Sequence, residues 1–166
     1  TLLQLLAGEP LAYQGRCLLN GQPIEHWDLR RVMGWLPQDV DMFDLSLADN
    51  LRLGNPTASD AQLWQVLEDV ALDVWARSHP QQLALMPGEL GTAVSGGQAR
   101  RIALARLLLA ERPILLLDEP FAGLDDATRA HVMTALQRRQ GQGLLIIASH
   151  QPITAARLKR LRIGYV

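Results

Sequence analysis

Val94-Ser95-Gly96-Gly97-Gln98 opens an amphipathic stretch that runs on to Ile114-Leu115-Leu116-Leu117 and halts at Asp118-Glu119-Pro120. The reading of these 27 residues decides the fold. Ser95 is a good N-cap, and Gly96 and Gly97 carry no Cβ, so their amides can approach a ligand closely. From Gln98 onward Ala99, Ile102, Ala103, Ala105 and Leu107 to Leu109 read as helix, with Arg100, Arg101 and Arg106 breaking up the apolar surface. A helix start of this kind exposes free amides and the positive dipole end, which suits a phosphate. An ordinary capped helix reads the same way, so this half alone leaves both readings open.

The second half is sharper. Four consecutive large aliphatics predict a parallel strand buried on both faces. In open α/β sheets ligands gather outside the carboxyl ends of the strands, where Asp118 and Glu119 fall. One carboxylate there suits Mg²⁺, which takes hard oxygen ligands and keeps several waters. Its neighbour is placed to act as general base toward an attacking water. The plain alternative is a strand followed by an acidic loop.

Further strand ends follow the same plan. Leu144-Leu145-Ile146-Ile147-Ala148 predicts a strand ending at Ser149-His150, and Val32 to Pro37 predicts one ending at Gln38. Three strand ends carrying Gln38, Asp118-Glu119 and His150 are expected to meet on one rim. The reading is therefore a nucleoside triphosphate site.

These segments resemble the nucleotide-binding domain of ATP-binding cassette (ABC) proteins. VSGGQ at 94–98 is similar to the family signature, ILLLDEP at 114–120 to Walker B with its glutamate, and AGLD at 122–125 to the D-loop. Ser149-His150 resembles the switch histidine and Leu36-Pro37-Gln38-Asp39 the Q-loop. The resemblance spans nearly all residues, with its five elements in family order.

The resemblance implies a P-loop NTPase-like α/β fold, a mainly parallel sheet flanked by helices, with an inserted helical subdomain. Residues 1–38 and 110–166 would form the α/β core, and 39–109 the helical subdomain with the signature helix. It implies ATP and Mg²⁺ as ligands. Asp118 would organise Mg²⁺, with Gln38 and Thr1. Glu119 would be the base, and His150 and Gln38 would complete the catalytic set. Ser95, Gly96, Gly97, Gln98 and Asp125 would face a second cassette in a head-to-tail dimer, and Thr1 would close the phosphate loop. No G-x-x-x-x-G-K-[ST] occurs here, and Thr1 to Gly8 resembles the helix that follows it. The expectation is a segment truncated at both ends, Ile163 to Val166 being a strand cut short. Such a segment by itself should bind ATP weakly or not at all.

The middle of the chain is punctuated by Pro56, Pro80 and Pro87. Ser46 to Leu53 is a helix candidate, and Ser59 is the expected N-cap of Asp60–Val70. These helices are expected to stand apart from the α/β core. Asp125–Gln140 predicts another helix. Trp35, Trp64 and Trp75 are expected to pack rather than to stack on a ligand. Asn20-Gly21 predicts a hairpin turn after Cys17.

Composition excludes some classes. Hydrophobic residues make up 48% of the 166 and charged residues 20%, with a net charge of −1, so no polyanion-binding surface is expected. The single Cys17 excludes an internal disulfide. No run of about 20 apolar residues is present.

Subtype features are again resemblances. Pro87-Gly88-Glu89-Leu90-Gly91 is similar to the exporter x-loop, and Phe43 to Leu51 to the exporter pattern after the Q-loop. The wording of 15–24 is similar to CydC/CydD-type thiol exporters of bacterial cytochrome bd assembly, leaning to the CydC-like half. This implies membrane domains in the same polypeptide, a place on the cytoplasmic face of the bacterial inner membrane, and no nucleic-acid partner. The alternative is a soluble ABC ATPase acting on nucleic acid or the ribosome, whose usual long coiled-coil insertion or tandem cassettes are not seen here.

Overall fold

The computed structural model describes residues 2–9, 12, 14–87, 94–153 and 159. Thr1, residues 88–91 of the expected x-loop, and Ile163 to Val166 lie outside them. The chain opens with α1 (Leu2–Leu6) and a two-residue-per-strand hairpin, β1 (Leu18–Leu19) and β2 (Gln22–Pro23). Asn20 and Gly21 both have positive φ, 51° and 78°, as the expected Asn-Gly turn requires. Then come α2 (Leu29–Val32) and β3 (Met33–Leu36). Three helices follow, α3 (Leu47–Arg52), α4 (Asp60–Asp69) and α5 (Asp73–Ser78). The long α6 (Gly96–Leu109) leads to β4 (Ile114–Asp118), α7 (Asp126–Gln140) and β5 (Leu144–Ala148).

β3, β4 and β5 form a parallel sheet with β4 in the middle. The register aligns Leu36 with Leu117 and Leu117 with Ile147, so all three strands finish at nearly the same level. β4 is buried on both faces, which is why it reads as an unbroken aliphatic run rather than an alternating one. Its side chains part by the strand period of two. Leu115 and Leu117 join one cluster with Leu47, Leu63, Ile102, Leu104 and Leu136. Ile114 and Leu116 join a second cluster with Leu3 of α1.

The helices over 47–109 do not stand apart from the sheet: they share that first cluster with the Leu36, Leu115 and Leu117 face. The physical reason is α6, whose buried Ile102, Leu104, Ala105 and Leu108 meet both α3–α4 and the sheet.

Local signals act as their chemistry dictates. Ser46, Ser59 and Ser95 each cap a helix by accepting a hydrogen bond from the backbone N–H three residues on, and Ser59 and Ser95 complete capping boxes with Gln62 and Gln98. β3 ends at Leu36, two residues before Gln38, because Pro37 has no N–H to continue a ladder. α4 ends at Asp69, with Val70 as its C-cap. Trp64 and Trp75 pack partly buried against the first cluster and Trp35 against the second. Arg77 lies 4.0 Å over the Trp64 ring.

Two polar knots tie α3 and α4 to the rest. Asn50 is fully buried, and its amide donates to the carbonyls of Phe43 (3.0 Å), Leu45 (2.8 Å) and Ser46 (3.1 Å). Arg106 of α6 donates to the carbonyls of Asn50 and Asp41, each at 2.9 Å, and to the Asn50 side-chain oxygen. On the far side of α4 the buried Asp69 carboxylate pairs with Arg138 and Arg139 of α7.

The turn after α3 presses on α6. A Cβ at Gly54 would lie 2.0 Å from the backbone oxygen of Arg106. Backbone cannot yield as a flexible side chain does, so Gly54→Ala must part α3 from α6. A loss of about 2 to 3 kcal/mol is expected, read as an earlier unfolding transition of the full-length protein. An unchanged transition would show that the two elements do not meet there.

Candidate functional site

The shared level of the strand ends sends three connections off one edge of the sheet. Pro37-Gln38 leaves β3, Glu119-Pro120 leaves β4 and Ser149-His150 leaves β5. Glu119 sits at the hinge of this edge. Its N–H donates to the carbonyl of Ala148 at 2.9 Å, extending the ladder by one residue. Its φ is then +48°, a left-handed corner that a residue with a Cβ adopts only when its surroundings hold it there.

The corner turns the Glu119 carboxylate toward the end of β5. It accepts hydrogen bonds from the Ser149 hydroxyl at 3.1 Å and from the His150 backbone N–H. One carboxylate oxygen lies 4.0 Å from Nε2 of His150, whose side chain is otherwise wholly exposed. Asp118 is half-buried at the last position of β4, paired in register with Ala148, and Gln38 is exposed past the end of β3. The structure thus brings Asp118, Glu119 and His150 together on one edge, with Gln38 leaving the neighbouring strand.

A residue the sequence reading left as a surface breaker lies beneath this edge. Arg100 of α6 is only 8% exposed. Its guanidinium donates to the carbonyls of Glu119 at 2.7 Å and Pro37 at 3.1 Å, and to those of Gln38 and Asp118. Burial pulls its pKa below the ordinary arginine value, opposed by the nearby carboxylates of Asp118, Glu119 and Asp39. A signal existed: Arg100 falls on the i, i+4, i+8 row with the buried Leu104 and Leu108.

Ser95 and Gly96, at the other end of this turn of α6, are exposed. The Ser95 Oγ accepts from the Gln98 N–H at 3.2 Å, and among the described residues its own hydroxyl proton meets no acceptor. The Gln98 side chain accepts from the Ser95 N–H at 2.8 Å. A Cβ at Gly96 would meet nothing within 4 Å, and one at Gly97 only the Ser95 hydroxyl at 4.0 Å. Among the described residues, packing therefore does not require these glycines.

Asp125 is the N-cap of α7. Its two oxygens accept from the N–H and the hydroxyl of Thr128, at 2.9 and 2.8 Å. These bonds hold its carboxyl below the usual aspartate value. In this chain Asp125 thus has a local structural duty.

For a metal, the donor set is sparse. Among the described residues no three His, Cys, Asp or Glu are placed to cage an ion. One hard carboxylate at a strand end, Asp118, fits Mg²⁺, which is bound by one or two carboxylates plus phosphate oxygens and waters rather than by an all-protein cage.

A parallel sheet covered by helices, with Asp118, Glu119, His150 and Gln38 at the carboxyl ends of its strands, is an open α/β arrangement of the kind that binds ligands at that edge. Residues 1–122 match the family model described as ABC transporter, so the chain belongs to the ABC transporter family. It is 36% identical over 91% of its length to the glutathione/L-cysteine transport system ATP-binding/permease protein CydC of Escherichia coli K12. It is 34% identical over 84% of its length to the ATP-dependent lipid A-core flippase 1 of Colwellia psychrerythraea. A bacterial Atm1-family ABC exporter solved with ATP bound matches with a TM-score of 0.81 at 30% identity, covering 90% of this chain and 27% of that one. The chain spans about a quarter of each of these relatives, 26% and 24% of the two curated ones. Among the described residues no helix is long and apolar enough to cross a membrane.

Proposed function

We propose that this chain is the ATP-binding and ATP-hydrolysing part of an exporter-type ABC transporter. It works in a longer polypeptide with membrane domains, against a second cassette, at the cytoplasmic face of a bacterial inner membrane. Residues 1–38 and 110–166 are assigned to the α/β core and 39–109 to the helical part, although one apolar cluster runs through both. The observation that carries the reading is the Glu119 corner, which aims a carboxylate at His150 across the end of a parallel sheet.

In this reading Glu119 takes the proton of the water that attacks the γ-phosphorus. Ser149 and the His150 N–H hold its carboxylate in one orientation for that task. His150 donates to the γ-phosphate, and Gln38 lies beside the attacking water. Asp118 would hold Mg²⁺, which when bound neutralises charge on the phosphates. Thr1 would close the phosphate loop. Ser95 to Gln98 caps the γ-phosphate held by the partner cassette. Support for an outward role comes from the glycine pair, which no contact among the described residues demands. Asp125 lies at the same interface while capping α7. The cargo assigned is a small thiol, cysteine or glutathione, on the likeness to the Escherichia coli relative of that name.

Ser95→Arg tests the cross-cassette assignment in the full-length protein. The long cation fills the space that the partner's phosphate would take. ATP turnover is expected to fall on the order of 100-fold, while nucleotide affinity at the variant's own phosphate loop stays within a few-fold. Equal losses of turnover and affinity would place Ser95 in its own site and overturn the assignment.

A further inference from the structure

Among the described residues Arg100 is the most deeply buried cation, and no role proposed above uses it. Its four carbonyl acceptors belong to two consecutive residues after β3 and two at the end of β4. Those peptide groups carry Gln38, Asp118 and Glu119. A buried guanidinium spends its donors where losing them is costly, and here it spends them on backbone rather than on a carboxylate. Two of the four acceptors, the carbonyls of Asp118 and Glu119, flank the left-handed corner of Glu119. The corner is thus held from both sides: Arg100 grips its backbone and the Ser149-His150 segment grips its carboxylate.

The same arginine stands five residues into the helix capped by Ser95, roughly 7.5 Å along the axis. A rigid helix carries any shift of its start to Arg100 with little loss. We infer that Arg100 is a positioning residue that couples the exposed Ser95–Gly97 corner to the backbone under Gln38 and Glu119. Occupancy of the corner by the partner's nucleotide then sets the geometry of this chain's own hydrolytic carboxylate. The inference rests on the ATPase reading above.

The test uses the full-length protein carrying Arg100→Met, Arg100→Gln or Arg100→Lys. Steady-state kcat, KM and the Hill coefficient for ATP are measured, with nucleotide affinity determined in an added Glu119→Gln background. Arg100→Met is expected to lower kcat on the order of 30- to 100-fold, the scale of a displacement near 1 Å at a catalytic group. KM and affinity should stay within about threefold of wild type, and the Hill coefficient should fall toward one. Lysine, with three donors for the four carbonyls, should recover part of kcat and of the cooperativity. Should the methionine variant fail to fold, the glutamine and lysine variants carry the same comparison. An unchanged kcat, or losses of kcat and affinity in equal measure with cooperativity intact, would overturn the coupling. The parent readings fail separately: the ATPase reading falls when Glu119→Gln by itself keeps wild-type turnover, and the cross-cassette reading when Ser95→Arg loses turnover and affinity equally.

Discussion

Replacing Glu119 by glutamine is expected to lower ATP turnover of the full-length protein on the order of 10³-fold while leaving nucleotide bound. That loss corresponds to about 4 kcal/mol of transition-state stabilisation. The argument is local. The amide keeps the size of the carboxylate and one acceptor oxygen, so the left-handed corner and the backbone bond to Ala148 survive. What disappears is the basic oxygen. The Ser149 hydroxyl and the His150 N–H, which both donate to that carboxylate, also lose a charged acceptor. Bound ATP without turnover is then the expected signature, measured as retained nucleotide after rapid filtration alongside phosphate release. Wild-type hydrolysis by the variant would remove Glu119 from the role of base.

Asn50→Leu should have the largest effect on the fold itself. The substitution nearly conserves volume, so the comparison isolates hydrogen bonding. Asn50 is fully buried, and its amide serves the carbonyls of Phe43, Leu45 and Ser46. Its oxygen accepts from the Phe43 N–H at 3.3 Å and from Arg106. Leucine strands several of these groups away from water. At about 1 to 3 kcal/mol for each group left unsatisfied, partly relieved by relaxation, a net loss of about 3 kcal/mol is expected. Hydrogen exchange of the amides over 43–53 in the full-length protein should quicken on the order of 100-fold. Exchange within a factor of three of wild type would show that water, not Asn50, serves those carbonyls.

The two predictions differ in how far the sequence foretells them. Glu119 was marked by its place after an aliphatic run, and the parallel register then delivered it to the same edge as His150. Asn50 was visible only as part of a resemblance over Phe43 to Leu51. Nothing in an isolated Asp-Asn-Leu says that the amide turns inward to hold the preceding loop. The arginines show the same limit more sharply. Arg100, Arg101 and Arg106 look alike as interruptions of an apolar helix. Arg100 grips the strand ends, Arg101 reaches the Ala71 carbonyl at 2.7 Å, and Arg106 closes the Asn50 knot. Asp125, expected at an interface, turns out to have both oxygens engaged by Thr128.

By itself the sequence determined the elements and their ends. Aliphatic runs made β4 and β5, the serines at 46, 59 and 95 and the aspartate at 125 started helices, and Pro37 stopped β3 short of Gln38. These are contests among neighbours within one or two turns, so residue types at short spacing settle them. Only the tertiary structure decided which charges go inside. Arg100 finds the Gln38 carbonyl 62 residues away, and Arg139 finds Asp69 at a separation of 70. A charge leaves water only where partners already wait for it, and those partners exist only once distant segments have packed.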